Sequence, residues 1–231
     1  MTEFVDTAAE AVAGVSDGAT VLLGGFGNAG QPMELIDALL DSGTSDLTVV
    51  SNNAGQGDRG LALLIKERRV RKVICSFPRQ SDSWHFDAAY RAGELELELV
   101  PQGNLAERLR AAGAGIGAFF TPTGYGTSLA EGKETREIEG RNYVLEHPIR
   151  GDVALIKALK ADDVGNLVYR KTARNFGPVM AAAASHTVVQ VAELVPSGSL
   201  DPENVITPGI YVDTVTALTP GTSQTQEAKQ A

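Results

Sequence analysis

The sequence predicts an α/β fold, a mainly parallel sheet flanked by helices, and three observations carry the prediction. Residues 21–23, 47–51 and 73–77 are short continuous apolar runs, the mark of strands buried on both faces. Residues 32–40 and 61–65, lying between them, carry apolar side chains at helical spacing. The two kinds of segment alternate, as parallel strands joined by crossover helices do.

In chain order, residues 6–15 set Ala and Val at helical spacing and predict an opening helix, and Gly18 turns the chain into the strand at 21–23. Pro32 begins an amphipathic helix (Met33, Leu35, Ile36, Leu39, Leu40), where its missing N–H is no loss, and Gly43 stops it. After the strands and short helix at 47–51, 61–65 and 73–77, residues 82–92 predict another helix. Glu94-Leu95-Glu96-Leu97-Glu98-Leu99 then alternates with the period of a strand that has one wet face, its glutamates being solvated charge. Pro101-Gln102-Gly103-Asn104 ends that strand, and residues 105–111 resume helical spacing with Glu107 and Arg108 outermost. Residues 112–126 are a glycine-rich excursion of the kind that usually has a function. A charged hairpin arm at 131–139 leads to a strand at 142–145, and further strands are expected at 153–158, 167–170, 187–191 and 210–212. An alanine-rich helix is expected at 178–185.

At 231 residues the chain buries a full core, and its composition (43% hydrophobic, 21% charged) is that of a globular protein. Residues 1–218 are expected to form one domain, and the polar, aperiodic residues 219–231 a disordered tail. A net charge of −9 argues against nucleic acid or an anionic membrane as partner, and the one basic cluster, 66–72, is expected to be a solvated corner. There is no run of about 18 apolar residues and no charged-then-apolar leader, so a cytoplasmic protein is expected. Cys75, the single cysteine, excludes an intrachain disulfide and sits in an apolar strand as a core residue. His85, His147 and His186 are scattered, so no metal site is expected, and no G-x-S-x-G nucleophile elbow is present.

The most informative stretch is Asp17-Gly18-Ala19-Thr20-Val21-Leu22-Leu23-Gly24-Gly25-Phe26-Gly27-Asn28-Ala29-Gly30-Gln31-Pro32: a strand, a glycine turn and a helix start. Such geometry leaves backbone N–H groups and a positive helix end facing open space, a seat for an oxygen-rich anion. Gly25 to Gly30 also fits the G-x-G-x-x-G of dinucleotide folds. Those folds place an acid after the next strand to hold the ribose, whereas residues 47–51 run into Asn52-Asn53-Ala54-Gly55. A nicotinamide cofactor is therefore set aside, and a non-catalytic nucleotide-binding module remains as the alternative class.

Ligands of open parallel sheets bind beyond the carboxyl ends of strands, so the glycine loop, Asn52-Asn53 and Gln102-Gly103 are expected to converge on one pocket. Amides and glycine N–H groups suit an oxygen that becomes negative during acyl transfer. Local turn capping explains Asn52 or Asn53 about as well, and Gln102 less well. No nucleophile accompanies these donors. Half an active site implies a second chain.

The run from Asp17 to Pro32, an acid-glycine pair, apolar residues and then GGF-x-x-x-G-x-P, resembles the signature of the first (α) subunit of family I CoA-transferases. So do Val100-Pro101-Gln102-Gly103-Asn104-Leu105-Ala106-Glu107-Arg108, Thr121-Pro122-Thr123-Gly124-Tyr125-Gly126-Thr127, and Gly165-Asn166-Leu167 with Arg170-Lys171-Thr172-Ala173-Arg174-Asn175-Phe176. The resemblance spans roughly residues 6–212. It implies an open α/β fold of CoA-transferase type, a coenzyme A thioester as substrate, and no permanently bound cofactor. The glycine loop (Gly24, Gly25, Phe26, Gly27, Asn28, Ala29, Gly30) would hold coenzyme A, Asn52 and Asn53 would flank the substrate, and Gln102 would stabilise the oxyanion. It also implies a β subunit, in a heterodimer or a dimer of heterodimers, whose glutamate attacks the acyl-CoA in ping-pong fashion. Cys75-Ser76-Phe77-Pro78-Arg79-Gln80-Ser81-Asp82-Ser83 is most similar to the 3-oxoadipate branch of that family, the acetoacetate branch being the alternative. Succinyl-CoA and a 3-oxo acid are then the implied substrates. A dicarboxylate needs a cation at its far end, and Arg79 is the candidate; a surface pair of Arg79 with Asp82 is the plain alternative.

Overall fold

The computed structural model describes residues 1–217, and the tail expected at 219–231 lies outside the described residues. The first half of the chain contains β1 (Glu3–Val5), α1 (Ala8–Val12), β2 (Thr20–Leu23), α2 (Met33–Asp41), β3 (Leu47–Val50), α3 (Leu61–Lys66), β4 (Val70–Cys75), α4 (Trp84–Arg91) and β5 (Glu96–Leu99). Then come α5 (Gln102–Gly113), β6 (Phe119–Thr121), β7 (Thr135–Ile138), β8 (Arg141–Glu146), β9 (Gly151–Asp162), β10 (Leu167–Val168), α6 (Gly177–Ala183), β11 (Ala184–Val195) and β12 (Thr214–Ala217).

A large sheet runs in the order β1-β12-β11-β9-β2-β3-β4-β5, with β10 folded back on β9. Every neighbouring pair along that order is parallel, and only β10 on β9 is antiparallel. The mainly parallel sheet expected from the alternation is therefore present. Its apolar runs are continuous because both faces are covered. Val21, Leu23, Val49 and Val73 join Leu35, Leu39, Leu64 and Phe86 from α2, α3 and α4 on one face. Leu22, Val50 and Ile74 join Leu105 and Leu109 of α5 and Met180 of α6 on the other. A separate antiparallel sheet, β6-β8-β7, stands after α5. Its hairpin turns at Glu139 and Gly140, both at positive φ (51 and 75), the backbone of a tight two-residue turn that matches strand twist.

Several expectations are corrected. The opening helix is only Ala8–Val12, closed at its start by a reciprocal bond pair between Thr7 and Glu10. The strand expected at 210–212 is a single helical turn, Gly209–Tyr211, and the actual strand follows it as β12. β9 and β11 are twice as long as the apolar runs that announced them, 12 residues each. The expected strand at 167–170 is cut to Leu167–Val168.

The charge expectations change most. The basic cluster is solvated as expected at Lys66, Arg68 and Arg71, and it is also paired: Arg68 with Glu94 (2.8 Å), Arg71 with Asp46 (3.1 Å), and the half-buried Lys72 with Glu98 (2.7 Å). β4 and β5 thus face each other with opposite charges, and cross-strand pairs of that kind stabilise a sheet. Glu98 also receives Arg108 at 2.8 Å, so it is not free solvated charge. Arg108 is not on an outer face either: its side chain is 12% exposed and also donates to the His147 carbonyl. Buried Glu146 accepts from Lys133 (2.7 Å) and Asn104 (3.2 Å), tying the small sheet to the first turn of α5.

Candidate functional site

Because β2, β3, β4 and β5 are parallel, their carboxyl ends lie along one edge of the sheet. The glycine loop leaves from β2, Asn52 and Asn53 from β3, Arg79 from the segment after β4, and Gln102 from the end of β5. The structure places these residues on one edge, in the order the strands dictate.

The loop is shaped from within. Gly24 N–H donates to the Leu155 carbonyl (3.0 Å), continuing the ladder to β9. Phe26 and Ala29 then exchange two hydrogen bonds, each 3.0 Å, which fold Gly27 and Asn28 into a tight turn. Gly25 lies at φ 130, a backbone angle that side chains rarely allow, and a Cβ there would fall 2.6 Å from Gln31 Cγ. Gly30 (φ 74) leaves room for the Ala173 carbonyl, with which a Cβ would collide. Gly27 differs: its φ is 57, yet nothing lies within 4 Å of an added Cβ. Its turn faces open space.

Asn175 holds the loop from outside. Its Oδ1 accepts from Gly25 N–H (3.2 Å) and Phe176 N–H (2.7 Å), and its Nδ2 donates to the carbonyls of Ala29 (3.0 Å) and Thr172 (2.9 Å). It stands in the Arg-Lys-Thr-Ala-Arg-Asn-Phe run that carried part of the family resemblance, but nothing in its spacing pointed to this role. Gln190, also missed, corrects a second expectation. The start of α2 was to be a positive helix end facing open space, yet the buried Gln190 side chain of β11 accepts from Glu34 N–H (3.1 Å) and Leu35 N–H (3.3 Å). The protein itself fills that anion seat. Among the described residues, the loop donors left without a partner include Gly27 and Asn28 N–H.

The two asparagines behave differently. Asn53 Oδ1 accepts from Gly55 N–H (2.9 Å), the local turn that short amides make. Asn52 is buried with no partner for its Oδ1, and neighbouring Ser76 Oγ is also buried without one. The two residues adjoin, since Ser76 and Phe77 N–H both donate to the Asn52 carbonyl (3.2 and 3.0 Å). Buried polar atoms are almost always satisfied, so these two are exceptions to the rule at the ends of β3 and β4.

Gln102 is exposed and opens α5 rather than sitting in a loop, three residues ahead of the expected helix start. The first intrahelical bond there, Leu105 N–H to the Pro101 carbonyl (2.8 Å), leaves the Gln102, Gly103 and Asn104 amides at the helix end as donors toward the edge. Arg79 is bound through Nε to Asp87 at 2.5 Å, not to Asp82, and is 55% exposed. Its two terminal nitrogens have no partner among the described residues. Cys75 is fully buried in the core, and that burial pushes its thiol up to about 12. Among the described residues no group of three or more His, Cys, Asp or Glu could hold a metal ion, and no helix is long and apolar enough to cross a membrane. The groove beside the loop is lined by Phe26, Ala29, Lys171, Thr172, Arg174 and Asn175, so Asn52, Asn53 and Gln102 do not share it.

Hydrogen-bond donors gathered around a glycine loop at a sheet edge are the kind of arrangement that suits an oxygen becoming negative during group transfer. The coenzyme A transferase family model matches residues 5–218, and the chain belongs to that family. One subunit of the 3-oxoadipate CoA-transferase of Pseudomonas putida is 64% identical over 213 residues, 92% of this chain and 92% of that protein. One subunit of the succinyl-CoA:3-ketoacid coenzyme A transferase of Xanthomonas campestris pv. campestris is 54% identical over 210 residues, 91% of this chain and 86% of that one. Among solved structures, an acyl-CoA transferase from E. coli shares the fold with a TM-score of 0.84 at 24% identity. That match covers 96% of this chain, which spans 50% of the E. coli protein.

Proposed function

We propose that this chain is the α subunit of a CoA-transferase that moves coenzyme A from succinyl-CoA to a 3-oxo acid, with 3-oxoadipate as the preferred acceptor. One observation carries the reading: three of the four segments at the carboxyl edge, residues 24–30, 51–55 and 100–103, offer glycine and side-chain amides but no carboxylate, thiol or imidazole, and the fourth, after β4, brings Arg79. The names of the relatives, each one subunit of its enzyme, favour a second subunit here, in a heterodimer or a dimer of heterodimers. The glycine loop holds coenzyme A, and Gln102 and the start of α5 steady the thioester oxygen as it becomes negative.

On this reading a glutamate of the partner attacks the thioester carbonyl of succinyl-CoA and expels the coenzyme A thiolate, leaving a mixed anhydride. The thiolate attacks the glutamyl carbonyl of that anhydride, releasing succinate and forming a glutamyl-CoA thioester. The 3-oxo acid carboxylate then attacks, and the same two steps run in reverse order to give the new acyl-CoA. Splitting one exchange into two covalent steps lowers each barrier. Coenzyme A is substrate, and no resident cofactor is needed. Asn52 and Asn53 flank the substrate, and Asn53 also shapes its own turn through Gly55. Arg79 reads the distal carboxylate through its two free terminal nitrogens, with Asp87 orienting the guanidinium. We place the reaction in the cytoplasm.

Reconstitution tests the whole. This chain, produced with its partner and given succinyl-CoA, is trapped with borohydride or hydroxylamine, and the modification is mapped. It should fall on a partner glutamate and never on this chain. Turnover by this chain alone would refute the division of labour. Arg79→Ala should raise KM for 3-oxoadipate far more than for acetoacetate; equal effects would remove Arg79 from the site.

A further inference from the structure

We propose that Lys171 and Arg174 form a phosphate-binding subsite for the nucleotide end of the coenzyme, on the flank of the glycine loop; this rests on the loop being a coenzyme A cradle. A groove of about 600 Å³ lies there, lined by both cations with Thr172, Asn175, Phe26 and Ala29. The groove is fixed to the loop, because Asn175 bonds Gly25 and Ala29 at once. Its volume is that of a site for a nucleotide-sized ligand and is generous for a six-carbon diacid.

The charges point the same way. Neither Lys171 nor Arg174 has an ion-pair partner among the described residues, although the chain carries a net charge of −9. Two cations left without carboxylates beside one groove reverse the local field, and an Arg fork with a Lys ammonium suits phosphate oxygens. Lys171 lies at φ 48, in the left-handed region uncommon for a long side chain, a backbone state that gathers at ligand sites. The Phe26 ring is 47% exposed at the groove, an apolar plane on which a purine can stack. Phosphate clamp and stacking face sit together. That combination selects a nucleotide over a simple carboxylate.

The test uses this chain co-produced with its partner subunit, in wild-type form and as Lys171→Asn/Arg174→Gln. Asn tolerates the left-handed backbone, so the charge is removed without new strain. KM for succinyl-CoA and Kd for free coenzyme A are expected to rise about tenfold or more. The preference for coenzyme A over 3′-dephospho-coenzyme A and pantetheine should shrink, and Arg174→Lys should keep most of the wild-type affinity. Values within about twofold of wild type would overturn the subsite. So would a rise confined to KM for the 3-oxo acid, which would assign the cations to a carboxylate. Should the double variant not assemble, Arg174→Gln against Arg174→Lys gives the same comparison. A wild-type complex without transferase activity would count against the coenzyme A cradle itself, whereas an active complex with an unmoved variant counts against this subsite alone.

Discussion

Gly27 and Gly30 share a left-handed backbone but differ in what an added methyl group would meet, so alanine at each separates two effects. The left-handed conformation costs an L-residue about 1–2 kcal/mol at either position. At Gly27 that is the full penalty, because nothing lies within 4 Å of the new Cβ. At Gly30 the Cβ would collide with the Ala173 carbonyl oxygen and sit 3.0 Å from Ala173 Cα and 2.9 Å from Asn175 Nδ2. Two of these three atoms are backbone and cannot swing aside, which adds about 1–3 kcal/mol of overpacking. Gly30→Ala should therefore lose about 2–5 kcal/mol, against about 1–2 kcal/mol for Gly27→Ala. Urea denaturation at constant m-value reads the difference directly, and a chain of this size should show roughly 2–4 °C of Tm per kcal/mol. The functional order should be reversed for severity against stability: the Gly27 methyl enters the open space where substrate is expected, raising KM for the acyl-CoA in a well-folded protein. Equal stability losses for the two variants would refute the claim that Ala173 dictates Gly30.

Asn175→Ala removes four hydrogen bonds around the loop and should cost about 2 kcal/mol or more, with Asn175→Asp, which keeps the acceptor for Gly25 and Phe176, losing less; thermal melts of both check this. Gln190→Leu uncaps the first turn of α2 and should cost about 1–2 kcal/mol in chemical denaturation, and an unchanged midpoint would mean that the helix start is satisfied otherwise. Glu98 gives a pH dependence. Burial opposes its charge, but the hydrogen bonds and positive charges of Lys72 and Arg108 together outweigh it and hold its carboxyl below the ordinary 4.5. Its contribution is therefore complete above the unfolded value and is lost as pH falls through the lower folded one. Between about pH 5 and 3 the wild type should lose stability faster than Glu98→Gln, and parallel urea midpoints across that range would rule out the carboxylate's role.

The layered α/β arrangement was legible because strands covered on both faces are dominated by apolar side chains, as β2 and β3 are with one threonine each. Where the pattern is mixed it failed. β12 reads Thr-Val-Thr-Ala, and its threonines 214 and 216 are buried only because β1 and β11 lie on either side. The start of β4 carries Arg71 and Lys72, a wet corner whose pairing with the acids of β5 opposite is set by a strand 24 or more residues on and has no local mark. The glycine loop was legible because positive φ and close approach leave a compositional mark. Its supports were not, since Asn175 lies 150 residues from Gly25 and Gln190 lies 156 from Glu34. Nothing local distinguishes a side chain whose partner is that far along the chain. The unpartnered oxygen of Asn52 separated it from Asn53, a distinction two adjacent identical residues cannot carry in sequence.

The sheet order has a consequence for biosynthesis. β2 lies between β3 and β9, and the turn that follows it is clasped by Asn175, so an N-terminal fragment still on the ribosome has the loop's residues without the brace that shapes them. β1 waits longer still, for β12, the final strand among the described residues. A translation product that stops before Asn175 would carry the glycine motif yet lack the side chain that clasps Gly25 and Ala29, so the motif alone does not make the turn.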